Sequence, residues 1–96
     1  MTTEKITEIG IDEKGRLYVK PERESFEFIY RAAAEVNWDD KNHFLYSPRP
    51  REETYFDWYM QIIMATKGEY GTQLIFTDKT KWTNIPNELK RQICNQ

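Results

Sequence analysis

The sequence predicts an α+β domain: a mixed or mainly antiparallel sheet of about five strands packed against three helices, in the order ββαββαβα. Three features carry that prediction. Residues 6–21, ITEIGIDEKGRLYVKP, alternate apolar and polar side chains on both sides of a glycine turn, which is the period of a half-buried strand. Residues 52–70, EETYFDWYMQIIMATKGEY, repeat large apolar residues at helical spacing. The 96 residues suffice for one domain and not for two, so 1–96 is read as a single unit.

The first hairpin pairs the Ile9/Ile11 alternation with Leu17/Val19 across Asp12-Glu13-Lys14-Gly15. Gly15 supplies the left-handed conformation that closes such a loop. Pro21 ends the second strand because it has no N–H for the ladder. In residues 24–34 Phe26, Phe28 and Tyr30 alternate as in a strand. Phe26, Ile29, Tyr30 and Ala33 also share one helical face, and the Ala32–Ala34 run and a capping Ser25 favour the helix. Helix is the expectation, with Phe28 left off its apolar face. EVNWDDKNHFLYSP predicts a second hairpin turning through Asp39–Asn42. Whether His43 shares a face with Trp38 depends on the parity of that loop, since a one-residue slip exchanges the faces. Pro48 and Pro50 break the chain before the long helix, TQLIFT forms a short strand, and IPNELKRQI a final helix with Pro86 at its start and Glu88 in its first turn.

The long helix holds more apolar bulk than one face accepts. Tyr55, Tyr59, Ile62, Ile63, Thr66 and Tyr70 gather in one direction, with Trp58 and Ala65 on one flank and Phe56 and Met60 on the other. That arc spans about 220°, where a one-sided helix needs about 100°. Asp57, Gln61 and Gly68 form the single polar edge. The surplus is accounted for most simply as core covered by neighbouring helices. Its functional alternative is a flank left open around Trp58 or Met60 as a partner or dimer surface, since aromatics and Met are enriched in interface centres.

Composition narrows the function. Charged residues make up 31 % with both signs interspersed and a net charge of −2, which disfavours a general nucleic-acid binder. The middle third is acidic and the C-terminal third mildly basic. Cys94 is the single cysteine, so no internal disulfide forms, and no apolar run approaches the ~18 residues of a membrane span. A cytoplasmic protein without membrane attachment is expected. Asp39, Asp40, His43, Glu52, Glu53 and Asp57 are the candidates for a metal-assisted acid–base site, with Asp39, His43 and Asp57 as its centre. One histidine excludes histidine-rich zinc sites, and no calcium loop occurs. Turn formation by Asp39 and Asp40 and helix-dipole complementation by Glu52 and Glu53 explain the same residues. Lys79, Lys81 and Trp82, followed by Lys90 and Arg91, are the candidates for weak single-stranded nucleic-acid binding. Arg49 and Arg51 suit an anion or the neighbouring glutamates. No nucleophile motif or phosphate-cradling glycine loop is present, and no cofactor or metal is expected.

The ordered set IGIDEKGRLYVKP, YRAAAEVNWD, YSPRPREE and KWTNIPNELKRQI, spanning residues 6–93, resembles small bacterial immunity proteins of polymorphic toxin systems. The resemblance implies a compact α+β domain that neutralises a cognate toxin domain by binding, with no catalysis and no cofactor. The expectation is therefore a non-enzymatic protein-binding module. Its contact residues are expected to be Asp39, Asp40, Glu52, Glu53, Trp58 and Met60, with a homodimer through the Trp58 flank as the other use of that surface.

Overall fold

A computed structural model of the chain describes residues 2–96. The chain runs through β1 (Thr2–Ile11), β2 (Leu17–Pro21), a 3₁₀ turn (Ile29–Arg31), β3 (Asn37–Asp39), β4 (Phe44–Tyr46), α1 (Tyr55–Tyr70), β5 (Thr72–Ile75), β6 (Lys81–Thr83) and α2 (Asn87–Cys94). The α+β class and the mixed sheet are as expected. Among the described residues the sheet has six strands rather than five, and there are two α-helices rather than three.

β1 is the spine of the sheet, whose order is β3-β4-β2-β1-β5. β2 pairs with β1 antiparallel. On the other side β5 runs parallel to its first half and β6 parallel to its second. The β1–β2 register shifts between Ile6 and Glu8, so Thr7 is an extra residue, and its hydroxyl donates to the Lys20 carbonyl at 3.1 Å. This bulge resets the alternation. Ile6 and Ile9, three apart, are both buried on the core side, and Glu8 and Gly10 turn to the opposite face.

The predicted hairpin forms as expected, with Ile9 opposite Val19 and Ile11 opposite Leu17. Gly15 takes φ +80, and the Asp12 carboxylate accepts the Lys14 and Arg16 N–H groups and the Arg16 Nε. In the second hairpin Trp38 faces Leu45 and Asp39 faces Phe44. The connecting loop is thus four residues, an even number, and His43 lies against the Trp38 ring with centroids 4.9 Å apart.

α1 begins with a capping box: Thr54 accepts the Asp57 N–H while Asp57 accepts the Thr54 N–H. It stops at Gly71, whose φ of +64 closes the last turn. Its surplus of apolar residues is core. Trp58, Tyr59, Ile62, Ile63, Ala65 and Thr66 are buried, packed with Ile9, Leu17, Val19, Leu45 and Leu74 from the sheet and Leu89 and Ile93 from α2.

The expected helix over 24–34 is absent; only Ile29–Arg31 turns, as a 3₁₀ segment without a side-chain cap. Two of its backbone donors, those of Glu24 and Phe28, are taken by distant side chains, while the Ile29, Arg31 and Ala32 N–H groups donate to the Phe26, Phe28 and Ile29 carbonyls. The buried Glu4 carboxylate accepts the Arg23 and Glu24 N–H groups, and the Tyr70 hydroxyl accepts the Phe28 N–H at 2.8 Å. Once tertiary acceptors satisfy those groups, the segment has no need of helical ones. Phe26 and Ile29 anchor it, both fully buried. The sixth strand, Lys81–Thr83, falls where the sequence pattern predicts no strand or helix.

Candidate protein-docking groove

The expected contact residues divide into three groups. Trp58 is only 3 % exposed and Met60 is partly buried against the core, so the open flank expected at Trp58 is closed. Glu52 and Glu53 do meet Trp58, together with Arg49 and Arg51, around a depression of about 300 Å³. Asp39 and Asp40 instead serve the β3–β4 turn. Asp39 accepts both the N–H and the side-chain amide of Asn42, and these bonds hold its carboxyl below the usual range. Asp40 accepts the Trp38 indole N–H at 3.4 Å.

The acid–base set Asp39, His43 and Asp57 is not assembled. Asp39 is committed to Asn42, His43 packs on Trp38, and Asp57 completes the α1 capping box. Among the described residues no three His, Cys, Asp or Glu side chains come together as a metal site. The basic–aromatic set is divided in part: Lys90 lies over the Trp82 ring, but Lys81 does not join them. Lys81 is opposite Glu8 and Trp82 opposite Ile9, so strand alternation sends them to opposite faces of the sheet.

What the structure does leave open lies elsewhere on α1. Met64 is 65 % exposed, Tyr30 56 % and Phe28 47 %. Met64 stands on the polar edge between Gln61 and Gly68, with Ala32 and Ala33, which follow the 3₁₀ turn, across from it. Ala32, Ala33, Gln61, Met64, Ala65 and Gly68 line a shallow groove of about 310 Å³. Small side chains make its floor and Met64 its wall. Phe28 and Tyr30 sit edge-to-face with centroids 6.5 Å apart, and the Arg31 guanidinium lies 4.6 Å from the Phe28 ring. The Tyr70–Phe28 hydrogen bond ties this segment to the end of α1. The exposed Met64 and the small-residue groove it borders are apolar surface of the kind that marks interaction sites. Phe28, alone off the apolar face in a helical reading, is the one signal in the sequence that pointed here.

The second uncovered surface is the outer face of the sheet. Tyr18 packs over Gly10, stacks on Phe44 at 4.7 Å, and donates to Glu8 at 2.7 Å. Thr83 donates to the same carboxylate oxygen at 2.5 Å. Burial works to raise the Glu8 pKa, but the bonds from Thr83 and Tyr18 and the charges of Lys81 and Lys20 outweigh it, and the net shift is downward. Burial and the Glu8 bond push the Tyr18 hydroxyl up to about 12. A tyrosine so held keeps its proton at neutral pH and acts here as a fixed donor.

Fold and surface together define a small mixed-sheet α+β domain with an open apolar groove. Residues 4–80 match the family described as Integron Cassette Protein Hfx_Cass5, and the chain belongs to that family. A solved structure of that description, from the mobile metagenome of the North West Arm sewage outfall, is 41 % identical over 97 % of this chain and 93 % of its own, with a TM-score of 0.51. No curated protein matches. No helix among the described residues is long and apolar enough to cross a membrane.

Proposed function

We propose that the chain is a non-enzymatic protein-binding module whose contact surface is the groove between the Phe28–Ala33 segment and α1. The observation that supports this reading is the exposure of Met64 beside a floor of alanine and glycine, with Phe28 and Tyr30 also exposed on the segment that supplies Ala32 and Ala33. Fully burying one such side chain stabilises by about 1.5–3 kcal/mol. Three of them, each about half exposed, leave roughly 2–4 kcal/mol for a partner to recover. The occupant is an apolar segment of another protein, with Met64 and Tyr30 as anchors. In the form implied by the resemblance to immunity proteins, that partner is a cognate toxin domain and the encounter takes place in the cytoplasm. The acidic residues Glu52 and Glu53 and the turn residues Asp39 and Asp40 then steer a basic partner rather than form the centre of the contact.

Affinity capture from the source cells tests this, with wild type beside Met64→Glu and, as control, Gln92→Glu, exposed on α2 and outside the groove. The reading predicts a stoichiometric partner held by wild type and Gln92→Glu and lost from Met64→Glu. Equal capture by all three removes the groove from the interface. Recovery of an untagged second copy alone makes the occupant this chain itself.

A further inference from the structure

A second cavity, sharing no residue with the groove, opens between the β5–β6 loop and α2. It measures about 590 Å³, within the ~300–1,000 Å³ range of small-ligand pockets. Phe76 and Trp82 meet edge-to-face with centroids 5.9 Å apart and planes at 65°, so they form an aromatic corner. Lys90 and Cys94, four apart on α2, project from the helix side. The Lys90 Nζ lies 5.2 Å from the Trp82 ring centroid, and among the described residues Lys90 forms no ion pair. The indole face is the protein group set against its charge.

The loop wall is held in place before any ligand arrives. Thr80 is buried, donates to the Ile6 carbonyl at 2.6 Å and accepts the Thr77 N–H at 2.8 Å. Thr77 accepts the Lys79 N–H, which leaves its hydroxyl proton to donate into the cavity it lines. Asp78, on the loop, and Lys90, on the helix, place opposite charges on the two bordering elements. An anion is thus directed toward α2 and away from the loop carboxylate.

We infer that this cavity binds a small planar aromatic carboxylate, its ring in the Phe76–Trp82 corner and its carboxylate on the Lys90 ammonium. Aromatic walls with a few convergent polar groups are the usual composition of small-ligand sites, and a cation beside an indole selects a ring that carries a negative charge. The inference stands apart from the docking function, since the lining residues are different ones.

The chain contains its own reporter. Cys94 is the single cysteine and is exposed at the cavity, so its alkylation by uncharged iodoacetamide reads occupancy directly. The probe is 3-phenylpropionate, with 3-phenylpropanol as its uncharged counterpart. Expected is saturable protection by the acid, about elevenfold at ten times its dissociation constant, and much weaker protection by the alcohol. Lys90 is exposed, so Lys90→Met folds normally; it is expected to bring acid and alcohol to the same weak protection. L-phenylalanine protecting better than 3-phenylpropionate adds Asp78 as the ammonium partner and supports the site. Absence of saturable protection by either acid overturns the inference. So does equal protection by the alcohol, or undiminished protection in Lys90→Met.

Discussion

Gly10→Ala tests the outer-face network most sharply. A Cβ at position 10 would lie 2.3 Å from the Tyr18 hydroxyl oxygen and 2.4 Å from its Cζ, so the ring must move. The far end of a tyrosine swings at little cost when it is free. Tyr18 is not free: it is 9 % exposed, stacked on Phe44 and bonded to Glu8. Moving it forfeits a hydrogen bond to a carboxylate, about 1.5–3 kcal/mol, and a ring stack, about 0.5–1.5 kcal/mol. Replacing a strand glycine returns about 0.5–1 kcal/mol. Because Glu8 is partly solvated, the lower half of the range applies, and the net loss is about 1–3 kcal/mol. Urea denaturation measures it, with the same substitution made in a Tyr18→Ala background. There the added methyl meets no ring, and the cost falls to zero or becomes a small gain. An equal loss in both backgrounds, or a loss under about 0.5 kcal/mol in the wild-type background, refutes the reasoning.

Two further outcomes follow from the same structure. Tyr59 is 2 % exposed, and burial first, then the nearby Cys94, push its hydroxyl up to about 12 from 10.0; Tyr18 moves the same way. Both folded-state values lie above the unfolded one, so this contribution to stability is fully present below pH 10 and is lost as the pH climbs toward 12. For Tyr59 the slope approaches about 1.4 kcal/mol per pH unit in that window. Tyrosinate absorbance and chemical denaturation followed together should show two late-titrating side chains and that decline, whereas flat stability would contradict it. Gly68→Ala and Gly71→Ala should have opposite signs. Neither Cβ meets any atom within 4 Å, but Gly71 has φ +64. Thermal melts are expected to show about 0.5–1 kcal/mol gained at 68, a helical position, and about 1 kcal/mol or more lost at 71.

Local chemistry made much of the architecture legible. The Ile9/Ile11 and Leu17/Val19 alternation and Gly15 specify their hairpin within sixteen residues, and the apolar arc of α1 specifies a helix buried on most of its circumference. The misreadings share one cause. Residues 24–34 look helical, yet their fate is decided by the Glu4 carboxylate and the Tyr70 hydroxyl, which no local window contains. β6 is three residues long and exists through parallel pairing with β1, some seventy positions away, so it leaves no periodic signal of its own. The groove was hidden for a related reason. Trp58 and Met60 are the conspicuous side chains of α1, but the core takes them, and Met64 is left in the open on the polar edge that Gln61 and Gly68 mark. Its opposite wall is formed by the segment whose conformation the local pattern misstates.

Site-specific photo-crosslinking in the source cells is the most direct test of the docking groove. A photoreactive residue replaces Met64 in one variant and Glu13, exposed on the β1–β2 turn, in the other. The account predicts one discrete protein adduct from position 64 and none from position 13. No adduct at 64, or the same adducts from both positions, would contradict it.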